Sequence, residues 1–139
     1  MSESGFFNVV VGEKLRARVE EEMEKWPTLC YFGFVDGERL KGQGQEEEER
    51  KKEREELRSD HAIAQVAFSM AYLSFLKRTK TMGAGSYGLK HLVEEWTDQY
   101  SDRQYISNGS LIMGAIVLGL RVKQDRRGSP NASINVRIR

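Results

Sequence analysis

Tyr105-Ile-Ser-Asn-Gly-Ser-Leu-Ile-Met-Gly-Ala-Ile-Val-Leu-Gly-Leu-Arg-Val-Lys123, followed ten residues later by Ser133-Ile-Asn-Val-Arg-Ile-Arg139, decides the fold. Residues 109–118 read as a short helix buried by Leu111, Ile112, Ala115, Ile116 and Leu118. Ser107 or Asn108 is its N-cap, because a short polar side chain there can accept from an orphan helical N–H. Gly119 has the position of a glycine just past the last turn, where a left-handed residue closes the helix. Residues 120–123 then read as a strand and 125–131 as a turn-rich connection. In 133–139, Ile134, Val136 and Ile138 alternate with Asn135, Arg137 and Arg139, the pattern of a half-buried strand.

Upstream, Ser86–Trp96 reads as a second helix, with Ser86 as cap and Leu89, Leu92, Val93 and Trp96 on one face. A polar loop over 97–104 joins the two helices. The region 86–139 is thus a helix–helix–hairpin unit. Before it, 61–80 is expected to be the long central helix, with Ser59-Asp60 as its start and Lys77, Arg78 and Lys80 in its last turn, where cations suit the helix dipole. Gly83-Ala-Gly85 ends it.

The first half is less regular. Phe6–Val11 is rich in β-formers and reads as a short strand. Gly12 opens a helix over 13–26 with Leu15, Val19, Met23 and Trp26 on one face, and Pro27 stops it. The aromatic run 28–35 reads as a strand. It pairs either with 38–40 across the Asp36-Gly37 turn or with 6–11. Residues 41–58 are expected to form an exposed charged helical segment, a solvated helical extension or a mobile tether; Glu46/Arg50, Glu47/Lys51 and Glu48/Lys52 stand four apart in the favourable order, and the segment is too polar to bury anything.

The expectation is one α+β domain spanning residues 1–139, with a central long helix, three shorter helices and a small, mostly antiparallel sheet. At 139 residues one core suffices. The apolar surplus of the 61–76 helix makes it a candidate homodimer face. Cys30 is the single cysteine, which excludes an internal disulfide framework and a thiolate zinc site. The first residues lack the pattern of a secretory signal, and no apolar run is long enough for a transmembrane helix, so a cytoplasmic location and no membrane partner are expected.

Charge is unevenly spread. Residues 101–139 carry seven Lys or Arg against two Asp, a net of +5, whereas residues 1–100 carry a net of −4. Arg121, Lys123, Arg126, Arg127, Arg137 and Arg139 are therefore the candidate partner- or nucleic-acid-binding residues. The helix–helix–hairpin order matches a winged helix-turn-helix, with Arg126 and Arg127 at the wing tip, where phosphate contacts are usual. The helix at 109–118 has no polar face to read base edges, which argues against sequence-specific readout.

No catalytic, cofactor or metal constellation emerges. His61 and His91 lie thirty residues apart with no nucleophile in context. Ser107-Asn-Gly-Ser lacks the setting of a hydrolase elbow and is better explained by capping. Gly83-Ala-Gly85 lacks the Gly-Lys-Ser/Thr of a phosphate loop, and Glu46–Glu49 lacks the spacing of a calcium loop. The residues read as those of a non-enzymatic protein.

The combination of Ser86-Tyr-Gly-Leu-Lys-His91, Glu94, Tyr105-Ile-Ser-Asn-Gly109, Leu111-Ile112, Gly119 and Pro130-Asn131-Ala132 resembles a group of small uncharacterised proteins of bacterial prophages and other mobile elements. It covers about 50 of the 139 residues. The resemblance implies a phage protein acting in the cytoplasm of a bacterial host. Small proteins of that origin are often inhibitors of host defence, of which anti-CRISPR proteins are the best-known class. The resulting expectation is an inhibitor that binds protein subunits of a nucleic-acid-guided defence complex. The alternative is a nucleic-acid-binding regulator that uses the winged-helix-like end.

Overall fold

A computed structural model describes the backbone of residues 3–35 and 46–138, and side chains from residue 12 in the first segment and residue 47 in the second. The helices are α1 (Glu3–Lys25), α2 (Glu46–Leu57), α3 (Asp60–Ser74), α4 (Ser86–Tyr100) and α5 (Asn108–Leu118). Short strands join them: β1 (Leu29–Cys30), β2 (Gly33–Phe34), β3 (Lys77–Arg78), β4 (Ala84–Gly85), β5 (Val122–Gln124), β6 (Ala132–Ile134) and β7 (Val136–Arg137). The fold is α+β, with every strand pair antiparallel: β1–β2, β3–β7 and the three-stranded β4–β6–β5.

The centre is α5, not α3. Every residue of α5 from Asn108 to Ile116 is buried. Ile112, Met113 and Ile116 join a cluster with Val19, Met23, Leu29, Phe34, Leu57, Ile63 and Val66. Leu111 and Ala115 join a second cluster with Leu73, Leu89, Val93, Ile106, Leu120, Ile134 and Val136. A helix apolar all round must be surrounded, and α1, α3, α4 and the strands supply the surround. Gly114 lets α3 approach closely: a Cβ there would lie 2.9 Å from Ser69 Cβ. Ser107 is the N-cap, its Oγ accepting from the Ser110 amide at 3.0 Å. Gly119 takes the left-handed conformation (φ 88°), and the Leu120 amide reaches back to the Ala115 carbonyl, closing the helix as a Schellman motif does.

Several expectations are corrected. Residues 6–11 are helical, not a strand: α1 runs unbroken through Gly12, where a Cβ would touch nothing. The well-patterned half of α1 carries the β-formers along, because propagation costs less than a new nucleus. The aromatic run is not one strand but a hairpin in itself, Leu29 facing Phe34 and Cys30 facing Gly33. The 38–40 segment and the Asp36-Gly37 turn lie outside the described residues. The α3 helix stops at Ser74 with Phe75 as C-cap, so Lys77 and Arg78 form β3 rather than a last turn. Ala84-Gly85 is β4, not only a break. Gly85, not Ser86, is the N-cap of α4, and that helix continues to Tyr100. The expected 133–139 strand is split into β6 and β7 at Asn135, with Ile138 exposed beyond them.

The polar helix α2 does bury something. Leu57 is fully buried in the first cluster. Arg54 reaches from α2 to the end of α1: its Nη1 donates to the Trp26, Pro27 and Leu29 carbonyls and its Nη2 to the Met23 carbonyl, at 2.8–3.1 Å. One guanidinium thus satisfies the Met23 carbonyl, whose helical partner would be the proline nitrogen of residue 27, and ties the end of α1 to the start of β1. The apolar surplus of residues 61–76 is mostly absorbed within the chain, Met70 against the first cluster and Phe68, Tyr72 and Leu76 against the second. Among the described residues no helix is long and apolar enough to cross a membrane.

Candidate nucleic-acid interface

Five of the six basic residues singled out from the sequence lie on or beside the small sheets; Arg139 lies outside the described residues. Arg137 stands on β7 directly across from Lys77 on β3. Both are exposed. Asn135 organises this corner. Its Oδ1 accepts from the Arg121 amide at 2.7 Å, its Nδ2 donates to the Thr79 carbonyl at 3.3 Å, and its own amide donates to the Arg121 carbonyl at 3.2 Å. The Arg121 guanidinium donates to the Thr79 and Lys80 carbonyls, and Arg78 to the Leu118 carbonyl at 3.2 Å. Lys123 is exposed on β5, opposite Ser133, and Arg126 and Arg127 follow in the β5–β6 turn.

Strand β3 and the connection to β4 therefore add Lys77, Arg78 and Lys80 to the basic face. Sequence reading had placed these three at a helix terminus, where the dipole accounted for them. No carboxylate among the described residues forms an ion pair with Lys77, Lys80, Lys123, Arg126 or Arg137. Asp125, the acid within this stretch, accepts instead from Ser133 Oγ at 2.8 Å. Like charges facing across a strand pair are unfavourable, so the Lys77–Arg137 juxtaposition carries a cost that a bound anion would relieve. The α5 helix is no recognition helix: it is buried from Asn108 to Ile116 and cannot enter a groove.

A second feature was not legible as a site. Phe32, Tyr87, Lys90, Tyr105, Asn108, Pro130 and Asn131 line one concavity of about 480 Å³. The segments on which the sequence resemblance rests converge here, from the start of α4, the lead into α5 and the start of β6. Phe32 is set by its neighbour: Tyr31 is buried, its hydroxyl accepts from Gln65 Nε2 at 2.9 Å and its carbonyl from the Gly109 amide at 2.9 Å. Gln65 Oε1 in turn accepts from the Ser107 amide at 2.9 Å. Glycine is required at 109, where a Cβ would lie 1.9 Å from the Cys30 carbonyl oxygen. The Pro130 carbonyl accepts from the Phe34 amide and from Asn108 Nδ2, both at 3.0 Å. Since that carbonyl can only accept, the orientation of the Asn108 amide is fixed. Asn108 Oδ1 is left buried without a hydrogen-bond partner among the described residues.

The floor is charged. The Lys90 and Glu94 side chains are each only 7 % exposed and pair at 3.3 Å. Glu94 also accepts from the Ile106 amide at 3.0 Å and faces His91 Nδ1 at 3.1 Å and the Arg103 guanidinium at 3.8 Å. Burial alone would push the Glu94 carboxyl up. The Ile106 amide, the charge and hydrogen bond of Lys90, and His91 together outweigh burial and hold it below the ordinary carboxylate range. The Lys90 ammonium lies 4.9 Å from the Tyr105 ring centre and 5.7 Å from that of Tyr87. Burial, followed by Tyr31, Glu94 and Tyr87, raises the Tyr105 hydroxyl above its usual value. No group of three or more His, Cys, Asp or Glu side chains among the described residues is placed to hold a metal ion.

In comparison with known proteins, the chain matches no protein-family model, no curated protein and no solved structure.

Proposed function

We propose that the protein is a non-enzymatic nucleic-acid-binding protein that holds a phosphate backbone on the basic face formed by β3, β7, β5 and the β5–β6 turn. The observation that carries this reading is the pairing of Lys77 with Arg137 on exposed strands, with Lys80, Lys123 and Arg126 likewise outside any ion pair among the described residues. Unneutralised cations on a backbone-rigid surface are what phosphate contact requires, and such contact needs no base readout. The test is fluorescence anisotropy with labelled DNA and RNA across a salt series. Binding should weaken steeply with salt. Reversing Lys77 and Arg137 together, or Arg126 and Arg127 together, should lower affinity at least tenfold and reduce the log–log salt slope by about 2. Salt-independent binding, or none at about 50 mM salt, would refute the reading.

A second reading, favoured by a different surface, is the mobile-element inhibitor that docks on subunits of a host nucleic-acid-guided defence complex. Phe75 and Tyr100 are exposed and meet Trp96 at ring distances of 6.3 and 5.8 Å, an aromatic patch of the composition common at protein interfaces. Affinity capture from nuclease-treated bacterial lysate separates the two. Defence-complex subunits retained by the wild type and lost with Phe75→Ala and Tyr100→Ala support the inhibitor. Nucleic acid recovered only without nuclease supports the first reading.

A further inference from the structure

We infer that the concavity between Phe32, Tyr87 and Tyr105 is a subsite for one unpaired nucleobase of a single strand whose phosphates lie on the basic face. This rests on the nucleic-acid reading above and adds to it the kind of nucleic acid bound. Three aromatic rings stand half-exposed at one mouth. A soluble protein gains nothing by holding three large rings in water around a hollow, whereas a flat ring entering there covers all three at once. Stacking on aromatic side chains is the usual means by which single strands are held, and it tolerates any base.

The charge in the pocket selects among flat or aromatic-seeking ligands. Aromatic cages that bind methylated ammonium groups leave the cation position vacant. Here Lys90 already occupies it, within 6 Å of two ring centres, so a cationic ligand would meet like charge. Among the described residues Lys90 has one hydrogen bond, to Glu94, and its ammonium has capacity for two more. Around the single Glu94 carboxylate stand Lys90, Arg103 and His91, so the floor is cationic in sum. A neutral, electron-rich ring attached to an anionic backbone fits both properties.

The wall supplies polar groups for a base edge. Asn131 is partly exposed, and its Nδ2 donates to nothing among the described residues. Asn108 stands beside it, its Nδ2 donating to Asn131 Oδ1 at 3.0 Å and its own Oδ1 buried without a hydrogen-bond partner among the described residues. Continuity with the basic face is covalent: Pro130 and Asn131 follow Arg126 and Arg127 by three to five residues. Even fully extended, five residues reach no more than about 18 Å, and the turn folds back, the Asp125 amide donating to the Asn131 carbonyl at 3.0 Å, so the two surfaces lie within a few nucleotides of extended strand.

The experiment compares a fluorescent twelve-nucleotide DNA strand with the same phosphodiester chain carrying abasic sugars at every position, both titrated at low salt. The wild type should bind the base-bearing strand about tenfold or more tightly. Tyr105→Ala and Tyr87→Ala should each remove most of that preference while leaving abasic binding unchanged, and Tyr105→Phe, which keeps the ring, should retain it. Both tyrosines are exposed enough for truncation to leave the fold intact, and circular dichroism of each variant checks this. The double reversal of Lys77 and Arg137 should weaken both strands equally. Equal wild-type affinity for the two strands would overturn the base pocket and leave the phosphate reading standing. Failure to bind either strand would overturn both.

Discussion

The basic sheet face and the aromatic pocket meet at one connection, yet they manage charge in opposite ways. On the sheet, Lys77, Lys80, Lys123, Arg126 and Arg137 stand exposed without ion pairs among the described residues. In the pocket, Lys90 and Glu94 are almost wholly withdrawn from water, and Glu94 is satisfied by an amide and three basic side chains. The first arrangement leaves electrostatic stabilisation unused, which on the proposed reading serves to attract an anion. The second commits its charges to the fold. Substitution should therefore separate them cleanly: pocket charges should govern stability, and sheet charges affinity.

The largest effect expected is at Glu94. Glu94→Gln leaves the Lys90 ammonium buried without its counter-ion, a loss of about 3–5 kcal/mol, visible as a lowered urea midpoint. A loss below about 1 kcal/mol would mean that the pair behaves as a surface pair and would erase the contrast. Next comes Gly109→Ala, which drives a Cβ into the Cys30 carbonyl and must displace the β1–β2 turn that carries Phe32. About 3 kcal/mol of destabilisation is expected from overpacking of this kind, measured by the same denaturation.

A pH series sharpens the comparison further. The Glu94 carboxyl is held below its unfolded value, so its contribution is fully present above the ordinary glutamate value of about 4.3 and is lost as pH falls through the lowered folded value. Wild-type stability should fall over that acid range, and Glu94→Gln should show a shallower fall. The smallest stability effect, with the opposite sign, belongs to Lys77→Glu. It turns a like-charge pair with Arg137 into an attractive one, which should stabilise the fold by about 0.2–1 kcal/mol while weakening nucleic-acid binding in anisotropy titrations.

Much of the architecture could be read from local signals. Ser107 and Gly119 bracket α5 because each meets a backbone need at a helix end. The β5–β6 hairpin follows from the alternation around Ile134 and the turn residues before it. The absence of a polar face on α5 correctly argued against a recognition helix. Other features had no local signal. Nothing in Tyr72-Leu-Ser-Phe-Leu76 marks a stop, so Lys77 and Arg78 were read as helical; their conformation is set by Val136 and Arg137, some sixty residues away. The anchoring of α2 depends on one leucine and one arginine among like-looking neighbours, and only the tertiary neighbours of Arg54 distinguish it from Arg50 or Arg58. The pocket draws its lining from four separate segments, none of which is a motif by itself. Its one trace in the sequence is the recurrence of aromatic and amide residues beside Gly and Pro turns.

The pairing of β4 with β6 and of β3 with β7 also bears on how the chain is made. Ala84 waits for Ile134 and Arg78 for Val136, partners that leave the ribosome some fifty to sixty residues later. At about 5–20 residues per second, that is a wait of several seconds. During it both strands present open edges, and for its first part the apolar side chains of α3 and α4 also lack the helix α5 on which they close. The basic face and the pocket wall are therefore completed together, once residues 132–137 have emerged, rather than as a preformed platform.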